Sequence, residues 1–94
     1  MSTLPAKELL EKTHKFPGPF IFKAIGKVED NFLPRLVAAV REELQMDIDP
    51  HYQSRDSGSG LHVAVTVEVR VQSADQVLAV YARMAKVKGL VISL

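Results

Sequence analysis

One stretch of the chain alternates strictly between apolar residues and other types. From Leu61 to Gln72 the odd positions are leucine or valine, and the even positions hold mostly polar side chains. Successive side chains point to opposite faces of a strand, so this pattern predicts a long central strand with one covered and one open face. Five of the six apolar residues are β-branched, which favours strand structure further.

Two segments repeat their apolar residues at helical spacing. Asp30 to about Gln45 carries a stripe that recurs every four residues, and Ala74 to about Val87 carries a second stripe. Pro34 fits only the first turn of the first helix, so Asp30 or Asn31 is predicted to cap it. Ser73 is the predicted cap of the second helix.

Three further segments have strand character. Phe20–Gly26 alternates, with the phenylalanines assigned to the core, Lys23 to water and Gly26 to a tight turn after the strand. Asp47–Arg55 contains a proline and charges, which suit an edge strand. Leu90–Leu94 is a short uncharged strand.

The resulting order is β-α-β-β-α-β, the ferredoxin-like arrangement of the α+β class. It predicts a four-stranded antiparallel sheet with two helices on one face, the first and third strands central and the other two at the edges. Residues 20–94 form the predicted domain. Residues 1–19 are predicted to be an N-terminal arm or a short helix capped at Thr3.

Composition narrows the classes of function. The 94 residues carry 12 basic and 11 acidic side chains, so no overall basic field attracts nucleic acid. Cysteine is absent, which excludes disulfides and thiolate metal sites. No apolar run is long enough to span a bilayer, and no signal peptide is recognisable. A cytoplasmic protein is the resulting expectation.

No catalytic or metal signature is present. His14, His51 and His62 lack metal-ligand spacing, so neither a metal nor another cofactor is predicted. His62, Thr66 and Glu68 share the open face, but no nucleophile elbow accompanies them. The glycine–serine loop at Ser57–Gly60 lacks the lysine of a P-loop. We therefore expect a protein that is not an enzyme.

RNA binding is the weakest alternative. The RNA-recognition module shares this topology, but it stacks bases on aromatic residues of its central strands. The predicted open face contains no phenylalanine, tyrosine or tryptophan.

A ligand site is conceivable where the first strand leads into the first helix. Gly26, Lys27, Asp30 and Asn31 surround this turn. The free N–H groups at a helix N-terminus suit a small anion or carboxylate. The alternative is that Asp30 or Asn31 caps those groups itself.

A protein-interaction surface is the favoured hypothesis. An uncharged edge strand is a template for pairing with another strand, and isoleucines lie on the open face beside it. A protein partner, or a second copy of the chain in a weak homodimer, would bind there. The candidate residues of this surface are Ile21, Lys23, Ile25, His62, Thr66 and Ile92.

The run Phe16-Pro17-Gly18-Pro19-Phe20-Ile21-Phe22-Lys23-Ala24-Ile25-Gly26 resembles the opening motif of the YbeD-like family, small bacterial proteins of unknown function. The Ser57–Gly60 loop, the strand Val63–Val71 and the segment Gln76–Lys86 are also similar to that family. The resemblance covers Leu9–Leu94. The sequence departs from the family pattern at His62 and Ala64, where an aromatic and a small hydroxyl residue are usual.

The resemblance implies a ferredoxin-like fold related to ACT regulatory domains, which bind amino acids near the first strand–helix turn and usually pair. It also implies a link to lipoate metabolism and provides no catalytic residues. Together with the residues themselves, it ranks a non-catalytic regulatory or protein-interaction module first and an ACT-like sensor of an amino acid or carboxylate second.

Overall fold

The computed structural model describes residues 6–94, so the predicted cap at Thr3 lies outside the described residues. The elements are α1 (Lys7–Thr13), β1 (Gly18–Lys27), α2 (Phe32–Glu43), β2 (His51–Asp56), β3 (His62–Val71), α3 (Ala74–Met84) and β4 (Leu90–Ser93). The α+β class is confirmed.

The four strands form one antiparallel sheet in the order β2-β3-β1-β4. This confirms that the first and third predicted strands are central. Strands β1 and β3 pair without interruption from Gly18 opposite Val71 to Lys27 opposite His62. Within residues 6–94 the structure has the two predicted main helices, α2 and α3, and a short helix in the N-terminal segment, α1, which packs against α3.

The core lies between the sheet and the helices. The apolar side of β3 contributes five buried valines, and Phe20 and Phe22 of β1 are buried as predicted. The placement of Leu61 in the core is wrong, because this side chain is 66% exposed. Leu61 precedes β3, in a turn where its carbonyl oxygen accepts a hydrogen bond from the Val28 amide at 3.0 Å.

Both main helices are shorter than predicted. α2 ends at Glu43, and Leu44 is only half-buried. α3 ends at Met84, after which the amide of Val87 donates to the Met84 carbonyl, three residues back. Backbone hydrogen bonds that span three residues instead of four tighten the last turn of a helix and are typical of its end.

Strand β2 begins at His51 rather than at Asp47. The segment before it is tied back to α2, because the Arg41 guanidinium donates to Asp49 at 2.6 Å. Pro50 is buried and Ile48 is 75% exposed, so these two residues do not share a strand face.

Helix α1 places Leu10 in the core, where it is 4% exposed. The Lys7 ammonium lies 3.2 Å from Asp75 in the first turn of α3, and the hydrogen bond to this carboxylate raises the pKa of Lys7. Within residues 6–94, no helix is long and apolar enough to cross a membrane.

Candidate functional site

The candidate surface is the side of the sheet opposite the helices, which we call the open face. Residues opposite each other in antiparallel strands share a face, so the pairing defines its members. They are Pro19, Ile21, Lys23, Ile25, Lys27, His51, Gln53, Arg55, His62, Ala64, Thr66, Glu68, Arg70 and Ile92. All six residues predicted for the interaction surface belong to it.

The open face is apolar where β1 meets the edge strand β4. Ile25 lies opposite Ala64 on β3 and opposite Ile92 on β4, so three strands contribute to one aliphatic cluster. Ile25 and Ile92 are half-buried, and Ile21, four residues before Ile25 on β1, is 47% exposed. Isoleucine gains roughly 1.5–3 kcal/mol on full burial, so covering this cluster is favourable.

Positive charge flanks this aliphatic cluster on the side away from β4. Lys23, Lys27, Arg55 and Arg70 lie on the open face against a single carboxylate, that of Glu68. None of these five side chains takes part in an ion pair within the described part of the chain.

On the helical side of the molecule several charges are paired. Arg83 of α3 donates to Glu43 of α2 at 3.0 Å and lies 3.3 Å from Glu42. Lys88 lies 3.3 Å from Asp30. The open face carries four basic side chains against one carboxylate, whereas the rest of the chain carries eight basic and ten acidic side chains, so the net positive charge is concentrated on the open face.

The open face has no assembled catalytic group. His62, Thr66 and Glu68 are spaced along β3, and no hydrogen bond joins any two of their side chains among residues 6–94. Across that same range, no cluster of three or more histidine and carboxylate side chains has the geometry to hold a metal ion.

The structure separates the four residues predicted for a ligand site at the strand–helix turn. Gly26 lies within β1, so the expectation that it forms the turn is wrong. Lys27 follows it on β1, and its amide donates to the Gly89 carbonyl at 2.9 Å. Asp30 and Asn31 lie farther on, at the start of α2.

The side chain of neither Asp30 nor Asn31 caps α2. Asn31 is the N-cap residue, but it accepts no side-chain hydrogen bond from the helix, and the Asp30 carboxylate pairs with Lys88. The predicted cap is wrong in this respect. Both residues have positive φ, 54° and 58°, whereas a capping side chain reaches the helix amides from extended backbone.

A shallow depression adjoins this turn. Its apolar lining is Val28, Phe32, Leu33 and Val63, and its acidic lining is Glu29, Asp30 and Asp56. Three carboxylates repel an anion, so these charges do not favour a carboxylate ligand. The ligand site stays a prediction.

Comparison with known proteins places the chain in a family. The model described as "Protein of unknown function (DUF493)" matches residues 11–94. The chain belongs to the DUF493 family. The match includes the Phe16–Gly26 motif, and the resemblance to the YbeD-like proteins is confirmed.

Members of this family in Shewanella carry the description "UPF0250 protein". The relative from Shewanella amazonensis is 32% identical over 76 residues, covering 81% of this chain and 84% of its own. The relative from Shewanella loihica is 33% identical over 75 residues, covering 80% and 83%. The relative from Shewanella woodyi is 32% identical over 83 residues, covering 88% of each chain.

One feature of the sheet was missed by the sequence reasoning. All six residues of β2 are exposed, on both faces of the strand. The signal was present in the sequence, since Tyr52 is the only large apolar residue between His51 and Asp56.

Proposed function

We propose that this member of the DUF493 family is a non-catalytic protein-interaction module with a regulatory role in the bacterial cytoplasm. After α1, its elements follow the order of the ferredoxin-like arrangement. The open face and the adjoining edge of β4 bind the partner. The partner presents an acidic surface with an apolar centre.

The observation that carries this proposal is the cluster of Ile25 and Ile92 beside cations of the open face that have no ion-pair partner among the described residues. A partner of this chemistry buries the isoleucines and supplies the missing carboxylates. Interfaces typically combine such an apolar core with a polar rim.

The edge of β4 adds a smaller contribution. β4 is uncharged and lies at the end of the sheet, so its outer backbone groups have no strand beside them among the described residues. The register shifts between Ile25 and Gly26, which leaves Val91 as an extra residue on β4. This bulge limits regular pairing to the part of β4 that follows it.

The two alternatives have weaker support. An ACT-like sensor of a carboxylate would have to overcome the acidic lining of the depression beside α2. The positive charge of the open face is compatible with RNA. However, the tyrosines and phenylalanines that could stack on bases do not lie on that face.

A capture experiment with matched charge variants tests the proposal. The tagged chain is incubated with lysate of its source organism, and captured proteins are quantified against I92K and K23E. A82K, in α3, and K86E, in the exposed turn that follows α3, make the same charge changes away from the open face, so they are the controls. Circular dichroism confirms that each variant is folded.

We expect one acidic partner that I92K and K23E lose and that both controls retain. Binding of the purified partner should weaken as salt is added, because exposed charges are screened. Equal capture by all variants contradicts the proposal. Capture that nuclease treatment removes assigns the open face to nucleic acid instead.

A further inference from the structure

Strand β2 is the second free edge of the sheet, and it differs from β4. Its six residues pair with β3 in an unbroken register, from His51 opposite Glu68 to Asp56 opposite Val63. Tyr52, Ser54 and Asp56 are exposed although they lie on the helical side, so no helix covers this strand. A second strand can therefore approach β2 without meeting a helix.

The pairing with β3 fixes which backbone groups of β2 point outward. The Ser57 amide donates to the His62 carbonyl at 2.8 Å, which extends the same register by one residue. Hydrogen-bonded pairs alternate along antiparallel strands, so His51, Gln53 and Arg55 bond to β3. Tyr52, Ser54 and Asp56 direct their N–H and C=O groups away from the sheet.

We infer that β2 pairs antiparallel with β2 of a second copy of this chain, around a two-fold axis at Ser54. Residues opposite each other must share a face, so the axis passes at a residue and not between two. Ser54 then faces its own counterpart, and Tyr52 faces Asp56 of the second copy. These are three hydrogen-bonded pairs, each exchanging two backbone bonds.

The side chains are self-complementary in this register. The Tyr52 hydroxyl is a donor and the Asp56 carboxylate opposite it is an acceptor. The Gln53 carbonyl is an acceptor and the Arg55 guanidinium opposite it is a donor. Neither pair brings like charges together, and each occurs twice because the interface is isologous.

The neighbouring register, centred on Gln53, is less favourable. It places Pro50 opposite Asp56, and proline has no N–H to donate. The sequence of β2 thus selects the axis at Ser54.

Two devices that protect edge strands are missing from β2. Lysine and bulges commonly block edge pairing, but β2 contains no lysine and no register shift. Strand β4 has both a bulge and a shorter span. The paired molecule has one continuous sheet of eight strands, and both open faces stay accessible on the same side.

Charge swaps at Ser54 test the pairing. Sedimentation of the wild type up to about 1 mM should show a rise from 10.4 kDa towards twice that mass, since a six-residue edge forms a small and weak interface. S54K and S54E should each stay at the monomer mass, because like charges meet across the axis. An equimolar mixture of the two should regain the dimer.

Hydrogen exchange provides a second, residue-resolved readout. Protection of the Tyr52, Ser54 and Asp56 amides should rise with protein concentration, while the Gln53 and Arg55 amides are protected at all concentrations. I92K should dimerise like the wild type, which separates this inference from the proposed partner surface. A concentration-independent monomer, or a dimer that S54K and S54E both retain, would overturn it.

Discussion

The ring of Phe32 lies directly against the backbone of Gly26. A Cβ atom at Gly26 would overlap the Cζ and both Cε atoms of that ring. Gly26 does not have the positive φ that would itself require glycine, so the reason for this residue is packing space. Gly26 is the last residue of the Phe16–Gly26 motif. Because it has no side chain, Phe32, the first residue of α2, can enter the core, where it is 1% exposed.

We therefore expect G26A to destabilise the fold by about 1–3 kcal/mol, the usual cost of overpacking a core. Urea denaturation followed by circular dichroism measures this free energy. G58A is the matched control, because a Cβ there meets no atom within 4 Å, and it should change stability by less than about 0.5 kcal/mol.

The double variant G26A/F32A identifies the cause. F32A alone should cost about 3–5 kcal/mol through the lost aromatic contacts. With the ring absent, the added methyl group has room, so the double variant should be more stable than the sum of the single effects predicts. Strict additivity would mean that Phe32 is not what excludes a side chain at Gly26.

The N-cap residue of α3 makes a capping hydrogen bond with its side chain and that of α2 does not. Substitutions at these two residues should therefore have different effects on stability. Ser73 accepts a hydrogen bond from the Gln76 amide at 3.2 Å, so S73A should cost about 1 kcal/mol. Asn31 makes no such bond and has φ of 58°, so N31G should be neutral or slightly stabilising. A loss of 1 kcal/mol or more in N31G would show that its side chain stabilises α2 after all.

Tyr81 makes stability depend on alkaline pH. Burial raises the pKa of Tyr81 above its ordinary value, so the fold favours the neutral phenol. The folded state then holds its proton more tightly than the unfolded state, and unfolding free energy should fall as pH rises above about 10. Urea titrations at pH 8 and above pH 10 measure the difference.

In Y81F the unfolding free energy should fall less as the pH rises above about 10, because the buried phenol is absent. At pH 8 this variant should be about 1 kcal/mol less stable, because the Tyr81 hydroxyl donates to the Leu94 carbonyl at 2.9 Å. Y52F, on the exposed edge strand, controls for the loss of a phenol. An alkaline decline of the same size in Y81F and in the wild type would contradict the assignment.

Leu10 is what attaches α1 to the domain. L10A should cost about 2–5 kcal/mol because this side chain is buried, whereas L9A should cost less than about 0.5 kcal/mol because Leu9 is 56% exposed. The exposed pair of Lys7 and Asp75 is too solvated to substitute for Leu10. Equal effects of L10A and L9A would show that α1 does not contribute to the core.

Strict alternation made the central strand predictable. Every odd position from Val63 to Val71 is buried, because one face of β3 is covered along its whole length. The pattern erred only at Leu61, where periodicity continues in the sequence but pairing has ended. Periodicity identifies a face and does not by itself locate the last paired residue.

The role of Gly26 and the start of β2 were not predictable for a different reason. Both depend on contacts between residues apart in sequence: Phe32 with Gly26, and Arg41 with Asp49. The candidate surface was predictable in part, because alternation assigns Ile21, Lys23 and Ile25 to one side. The exposure of β2 on both faces has a local signal, because Tyr52 is its only large apolar residue, but the positions of the helices that leave it uncovered depend on distant contacts.

The concentration of net positive charge on the open face gives the molecule an electrostatic direction. A body with excess positive charge on one side rotates in the field of an acidic surface until that side faces it. Encounters are thereby biased towards sheet-first collisions before any contact forms. The association rate should be more sensitive to ionic strength than the lifetime of the complex, since steering acts over distance and the isoleucines act only at contact.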